Sequence, residues 1–443
     1  MSSHAPGIPT EGLIPADKLA APSTHSHTAL RSYIPALDGV RGLAILVVMC
    51  CHFVWIVTLE HNAPPPDKIS KLGVEVLKTG RYGVDLFFVL SGFLITGILY
   101  DAKHDKHYFR NFYARRTLRI FPLYYAVLLA LFVVAPMFVS FNTPGEQRII
   151  EHQGWLWTYL GNVKSAFMGP DFFQEDRLWM GHFWSLAIEE QFYLVWPMVI
   201  LLLSRRAAMG TCLAMMVGAP LLRVALQSSL PFPQGLYAAI YFTFCKLDTL
   251  ALGAFLALAA RSPGGILGYA RLAPWLAIGL GFALAPMLFL KANKETFLGA
   301  VVESGKLSVI CFFSGSLLVL AVNSTPRSPI GWFFTTPFMR FFGKYSYGIY
   351  IFHELLAPLF NGKLGVVALR PLVGGSWHVA MFLHVLLAGL ISVGVSLLSW
   401  HVLEKHMLKL KRYFEHAPEP RPKPAPRDLP PVPMPTTSGR LAG

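Results

Sequence analysis

The sequence predicts an all-α fold: a polytopic transmembrane helical bundle of about ten spans, with both termini in the cytoplasm. Three observations predict it. Of 443 residues, 54% are hydrophobic and only 14% charged, whereas a soluble domain carries about a quarter charged residues. The mean hydropathy is +0.49. The apolar residues come in runs close to the length, about 20 residues, that a helix needs to cross a hydrocarbon core of roughly 30 Å.

Ten runs qualify: 37–58, 83–100, 119–140, 183–203, 210–228, 236–260, 273–290, 305–322, 345–361 and 378–403. The stretch WLWTYLGNV (155–163) is shorter, and is expected at the interface or as a re-entrant segment. An even count puts both termini on one side. With that side taken as the cytoplasm, inner segments hold 24 of the 38 Lys and Arg and outer loops hold 11, as the positive-inside rule requires. Arg223, Lys246 and Lys306 fall within runs. Residues 1–35 are polar and lack an apolar h-region, so the first run reads as an uncleaved signal anchor. The expected organisation is a disordered cytoplasmic segment over 1–35, a membrane domain over 36–404 and a basic, Pro-rich cytoplasmic tail over 405–443.

Net charge is +14. Much of the Lys and Arg flanks apolar runs, so topology and membrane lipid explain it, and no nucleic-acid partner is expected. The five cysteines lie in apolar runs without a CxxC pair, which argues against a disulfide framework or a zinc site. The histidines are scattered, and no metal is expected.

Ionisable residues inside a bilayer face the bundle interior or water. Five stretches carry them. In RGLAILVVMCCHF (41–53), Arg41 and His52 are eleven residues apart, about 20° past three helical turns and separated by about 16 Å along the axis. That geometry suits a ligand that is anionic at one end and reactive at the other, with Arg41 on phosphate and His52 taking a proton. The structural alternative is a hydrogen-bonded histidine with a snorkelling arginine. In ARRTLRIFPLYY (114–125), Arg115 and Arg119 share a face and, with Arg116, can grip a diphosphate; the alternative is a topological stop signal. In HFWSLAIEEQFYLVWP (182–197), Glu189 and Glu190 point about 100° apart. They can orient a histidine, bind sugar hydroxyls or relay protons, or else pair with Lys246 or Arg223. In YGVDLFFVLSGFLI (82–95), Asp85 lies near the outer end, while Ser91 and Gly92 suit close helix packing. In SYGIYIFHELL (346–356), His353, Glu354 and Tyr350 can line the same cavity or serve as structural hydrogen-bond partners. The outer loop 141–182, with Trp155, Trp157, Asp171, Glu175 and Asp176, could suit a sugar, or could be an ordinary interfacial loop.

Together these stretches resemble the membrane acyltransferase-3 family. The matching phrases are LDGVRGLAILVVMCCHF, GVDLFFVLSGFLI, NFYARRTLRIFPLYY, FWSLAIEEQFYLVWP and KYSYGIYIFH, in the family's order over about 37–360. The resemblance implies a ten- or eleven-helix enzyme of the bacterial inner membrane. It would move an acyl group, usually acetyl, from cytoplasmic acyl-CoA to a hydroxyl of an extracytoplasmic glycan, lipid-linked sugar or small molecule. The family's Arg-x10-His motif falls on Arg41 and His52, its RRxxR motif on Arg115, Arg116 and Arg119, and its acidic helix on Glu189 and Glu190. The resemblance thus implies catalysis by His52 with Arg41, Glu189 and Glu190, and acetyl-CoA bound at Arg115, Arg116 and Arg119. Asp85, Ser91, His353 and Tyr350 are the expected substrate-binding residues. Some members continue into an SGNH esterase-like domain; here a Pro-rich tail follows, and a single-module enzyme is expected.

Direct attack of the acceptor and a covalent acetyl-His52 route both fit this pattern. Two rivals remain. Charged residues within spans also mark proton-coupled transporters or exporters of a glycan precursor, although no inverted repeat is evident. A catalytically degenerate scaffold is the other, and the intact Arg41/His52 pair argues against it.

Overall fold

The computed structural model describes residues 34–59, 65–262, 265–289, 293–362 and 364–414. The expected disordered N-terminal segment and most of the Pro-rich tail lie outside the described residues. The described residues include ten long helices: α1 Pro35–Leu59, α2 Gly83–Asp101, α3 Tyr108–Leu129, α4 Phe183–Leu202, α5 Arg205–Ser229, α6 Leu247–Ala260, α7 Leu267–Phe289, α8 Phe297–Asn323, α9 Pro337–Leu355 and α10 Trp377–Ser399. Nine helical stretches among the described residues are long and apolar enough to cross a membrane, and the chain is a multi-pass membrane protein.

Four expected segments take a different form. The run 345–361 is not among the nine apolar stretches. It belongs to α9, which starts earlier, carries Arg340, Lys344, His353 and Glu354, and ends at Leu355 before a separate turn, Ala357–Asn361. α9 earns its place by packing on α1 rather than by hydropathy. The run 236–260 is not one helix. Extended backbone at Phe242 divides Gln234–Tyr241 from a short turn and α6. α3 begins at Tyr108, so Arg115, Arg116 and Arg119 stand two to three turns inside a helix rather than at its entrance. The stretch 155–163 folds as two short helices, Gly154–Trp157 and Gly161–Met168.

α1 lies against α2, α8, α9 and α10. Its crossing with α9 is backbone on backbone. A Cβ on Gly42 would come within 2.0 Å of Met339 O, and one on Gly343 within 1.8 Å of Asp38 O. Hydrocarbon offers no hydrophobic drive between helices, so close approach over small residues supplies the packing. The α2–α6 crossing repeats the device, with Gly92 against Leu250 and Gly253 against Val89. α7, by contrast, turns Trp275, Leu276, Ile278 and Phe282 outward, which lipid solvates.

The outer loop is built as a cap. Thr143 and Glu146 form a capping box at the start of Pro144–Glu151. Glu146, fully buried, takes Arg177 Nε at 2.6 Å and Nη2 at 2.8 Å. Arg148 holds Glu175 at 2.9 Å. The two-residue strands Gln174–Glu175 and Leu178–Trp179 pair antiparallel. They carry Gln174 down onto Glu354, whose Oε1 accepts its side-chain N–H.

Candidate active site

α1 and α9 bring His52, His353 and Glu354 together, and the residue before α4, His182, joins them. His353 and His182 are buried; the His52 side chain keeps 20% of its surface exposed. His353 Nδ1 is 2.8 Å from Tyr350 O. A carbonyl can only accept, so this nitrogen carries the hydrogen and His353 Nε2 presents a lone pair. That lone pair meets His52 Nδ1 at 2.7 Å. His52 is thereby assigned its hydrogen at Nδ1, with Nε2 free as a base. The two rings stack with centroids 5.0 Å apart. Glu354 Oε2 is 3.3 Å from the same His52 nitrogen.

His182 repeats the logic on the other side of Glu354. Its Nε2 is 3.2 Å from Ile351 O, which leaves Nδ1 a lone pair, 3.4 Å from Glu354 Oε2. Donor atoms of His52, His353 and Glu354 lie within 4.8 Å of one another, a set able to ligate a metal. The 2.7 Å between His52 and His353, however, has hydrogen-bond length. Two ligands of a tetrahedral zinc stand roughly 3.3 Å apart, so metal binding would require these rings to separate.

A cavity of about 110 Å³ reaches toward the cluster from the basic end of the bundle. Its lining includes Arg41, Ser91, Arg116, Arg119, Glu189, Glu190, Tyr193 and Tyr347, and it ends at Ser185 and Tyr350. Ser185 Oγ and Tyr350 OH are 2.5 Å apart, and Tyr350 OH also donates to His182 O at 3.0 Å. Tyr350 therefore faces the cavity with its hydroxyl and holds His353 with its carbonyl. His52 does not line the cavity; Tyr350, which does, accepts from His353 Nδ1 through its carbonyl. Nearer the basic end a second space of about 180 Å³ shares Arg41, Leu94, Arg116 and Arg119 with the first, and adds Arg115 and Lys411. No carboxylate lines it. Arg41 is paired with Asp38 at 2.9 Å. Arg115, Arg116, Arg119 and Lys411 have no ion-pair partner among the described residues; Arg116 lies over the Tyr193 ring at 5.0 Å.

Most of the expected site residues thus meet around one path. Arg41, Ser91, Arg115, Arg116, Arg119, Glu189, Glu190 and Tyr350 line it, and His52 and His353 stand beyond its closed end. Asp85 does not belong: it is buried and bonded to Lys246 at 2.9 Å. Glu189 and Glu190 do not pair with Lys246 or Arg223, because Arg223 is taken by Asp248 at 2.8 Å. Ser91 bonds the Tyr193 hydroxyl, the placement of a wall residue. His182, Gln174, Ser185 and Lys411 were not foreseen. His182 opens a phrase that was singled out for its acids, so a signal existed; Lys411 sits in a run of lysines with none.

The helical membrane bundle thus carries a basic mouth, a narrow path and an imidazole–carboxylate cluster. Comparison with known families is more specific. The family profile described as an acyltransferase domain, acyltransferase-3, matches residues 34–401, and the chain belongs to that family. Two relatives are the O-acetyltransferases OatA of Staphylococcus aureus strains NCTC 8325 / PS 47 and COL. Each is 28% identical over 338 residues, covering 74% of this chain and 51% of the relative. Another is SACOL0978 of S. aureus strain COL, provisionally named an O-acetyltransferase, 28% identical over 339 residues, with 72% and 50% covered. The chain matches about half the length of these curated relatives. No solved structure gives a significant match.

Proposed function

We propose that this protein is an O-acyltransferase of the bacterial inner membrane, carrying an acyl group, most simply acetyl, from cytoplasmic acyl-CoA to a hydroxyl of an extracytoplasmic carbohydrate or lipid-linked glycan. The observation that carries the reading is the path itself: cations without an ion-pair partner among the described residues at one end, a narrow cavity, and a histidine with an oriented lone pair near the other. Family membership and the names of the relatives support acyl transfer to a hydroxyl.

The donor's phosphates rest among Arg115, Arg116 and Arg119, and its pantetheine arm lies in the cavity with the thioester toward Tyr350. The thioester meets His52 when Tyr350 swings from Ser185. His52 Nε2 then takes the proton of the acceptor hydroxyl, and that oxygen attacks the thioester carbonyl carbon. The C–S bond breaks, sulfur leaves with the electron pair, and the imidazolium returns the proton to give the ester and free CoA thiol. His353 holds His52 in the competent tautomer, and Glu354 faces the positive charge as it forms. A general base contributes typically 10²–10⁴-fold, and positioning and electrostatics supply the remainder.

The test is incubation of membranes with acetyl-CoA labelled in the acetyl group, comparing wild type with His52→Ala at matched expression. Base-labile label in the glycan and lipid fraction, with release of CoA, is expected for wild type and lost in the variant. Protein-dependent label that persists in His52→Ala would remove His52 from the chemistry. Substrate flux that needs no acyl-CoA would return the transporter.

A further inference from the structure

The matched family domain ends at residue 401, and the described chain continues to Phe414. α10 passes into a widened π-type turn, Trp400–Glu404, then Lys405–Lys409 and a tight turn, Leu410–Phe414. A π turn inserts an extra residue into the helical repeat and redirects the side chains beyond it. Here it tucks the segment onto α3, the helix that bears Arg115, Arg116 and Arg119. Trp400 packs edge-on against Tyr345 at 5.3 Å with Lys344 over its ring at 5.4 Å. Ser399 Oγ donates to Glu404 Oε1 at 3.2 Å, and Glu404 is buried. The segment is thus anchored, and its anchored position places Lys411 in the wall of the basic vestibule.

Lys411 joins four arginines in one space without a carboxylate on its walls. Half-buried cations repel one another and lose hydration, so an arrangement in which one face of each is left unpaired favours an anion between them. The donor named above carries a diphosphate and, on its ribose, a 3′-phosphate. Three arginines on α3 and Arg41 give forked donors suited to phosphate oxygens, while a lysine adds a mobile point charge.

We propose that Lys411 is a phosphate-binding residue for the acyl donor, delivered to the vestibule by the Trp400–Phe414 segment, which runs from the end of the matched family domain past it. This rests on the acyl-CoA reading. The segment acts as the floor of the donor site.

The experiment measures equilibrium binding of CoA, and separately of dephospho-CoA, to the full-length chain in detergent, for wild type, Lys411→Gln, Lys411→Arg and Arg119→Gln. Thermal unfolding of each variant is followed in parallel. Lys411→Gln is expected to weaken CoA binding about tenfold, the scale of one lost charge-assisted hydrogen bond, with unfolding unchanged. Lys411→Arg restores most of the affinity, which a packing defect would not predict. A penalty that vanishes with dephospho-CoA locates Lys411 at the 3′-phosphate; one that persists locates it at the diphosphate. If Arg119→Gln weakens binding and Lys411→Gln does not, Lys411 has no part in the site and this inference fails alone. If wild type binds no CoA, the donor reading fails and takes the inference with it.

Discussion

Two regions of the bundle bury the same kinds of side chain and treat them in opposite ways. Where α5, α6 and α8 meet, Arg223 donates to Asp248, to the Ser308 and Ser304 hydroxyls and to Cys245 O. Lys246 is bonded to Asp85 nearby. Each charge there has its partner. Around α1, α3, α4 and α9, three arginines and a lysine have no ion-pair partner among the described residues, and Glu190 Oε1, Glu354 Oε2 and His182 Nδ1 are buried without a hydrogen bond. Proteins satisfy buried polar groups almost everywhere. The first region is therefore closed structural wiring, and the second holds unsatisfied capacity for ligands and protons.

The contrast can be broken by mutation. The largest effect on stability is expected in the satisfied region. Arg223→Leu leaves Asp248 buried and uncompensated, at a cost of about 3–5 kcal/mol, read as lost thermal stability and yield in detergent. Arg223→Leu with Asp248→Leu should recover most of it. An unstable single variant with no recovery in the double would show that packing, not charge, holds that corner.

In the open region the effect should fall on chemistry. Glu354→Gln keeps the side chain's shape but cannot face an imidazolium with a full negative charge. Transfer should drop by roughly 10²-fold, with a change in unfolding temperature far smaller than for Arg223→Leu. Equal loss of both properties would erase the distinction between the two regions.

Tyr350→Phe tests the partition between cavity and cluster. It removes the hydroxyl that holds Ser185 and His182 O, and should cost about 1–2 kcal/mol. It should also raise acyl-CoA hydrolysis relative to transfer a few-fold, because water then shares the route to His52. An unaltered hydrolysis-to-transfer ratio would mean that Tyr350 does not separate them.

The smallest effect lies in the outer cap and depends on pH. The Arg177 side chain, hydrogen-bonded to Glu146, holds that carboxyl below its ordinary value. A lowered carboxylate pKa contributes stability that is complete above the unfolded value, about 4.3, and is lost as pH falls through the folded one. Asp171 opposes it: burial, with Glu175 nearby, raises its pKa, so its ionisation weakens the cap as pH rises. Hydrogen exchange over 143–177 should stay slow from pH 7 to about 5 and quicken below about 4. Arg177→Gln should remove the acid-dependent step, and a cap indifferent to pH would deny Glu146 that role.

Much of the frame was legible in the chain. Eight of the ten apolar runs match helical stretches long and apolar enough to cross a membrane, and a ninth, 236–260, overlaps one in part, because hydrocarbon forces the backbone to satisfy itself as helix. Where the reading erred, local signals were overridden. The run 345–361 is displaced: its helix, α9, starts at Pro337, ends at Leu355 and is held by its crossing with α1. α6 begins late: extended backbone at Phe242 interrupts the run, and Thr243 and Lys246 before the helix bond to Asn162 and Asp85. The site was half legible. Arg41 and His52 follow from one helix's periodicity, and Arg115 and Arg119 from another's.

What the sequence determined by itself is what one helix can express: spans, sidedness of charge, and which residues share a face. It singled out Asp85 and Glu189 alike as acids within spans. Only tertiary structure decided that Lys246 closes the first while the second stays open to a cavity, that His182 and Glu354 meet, and that Lys411 returns to α3. Those decisions depend on which helices cross and at what depth. Crossing is set by close fit at positions such as Gly42 and Gly343, a long-range property that no single stretch of sequence contains.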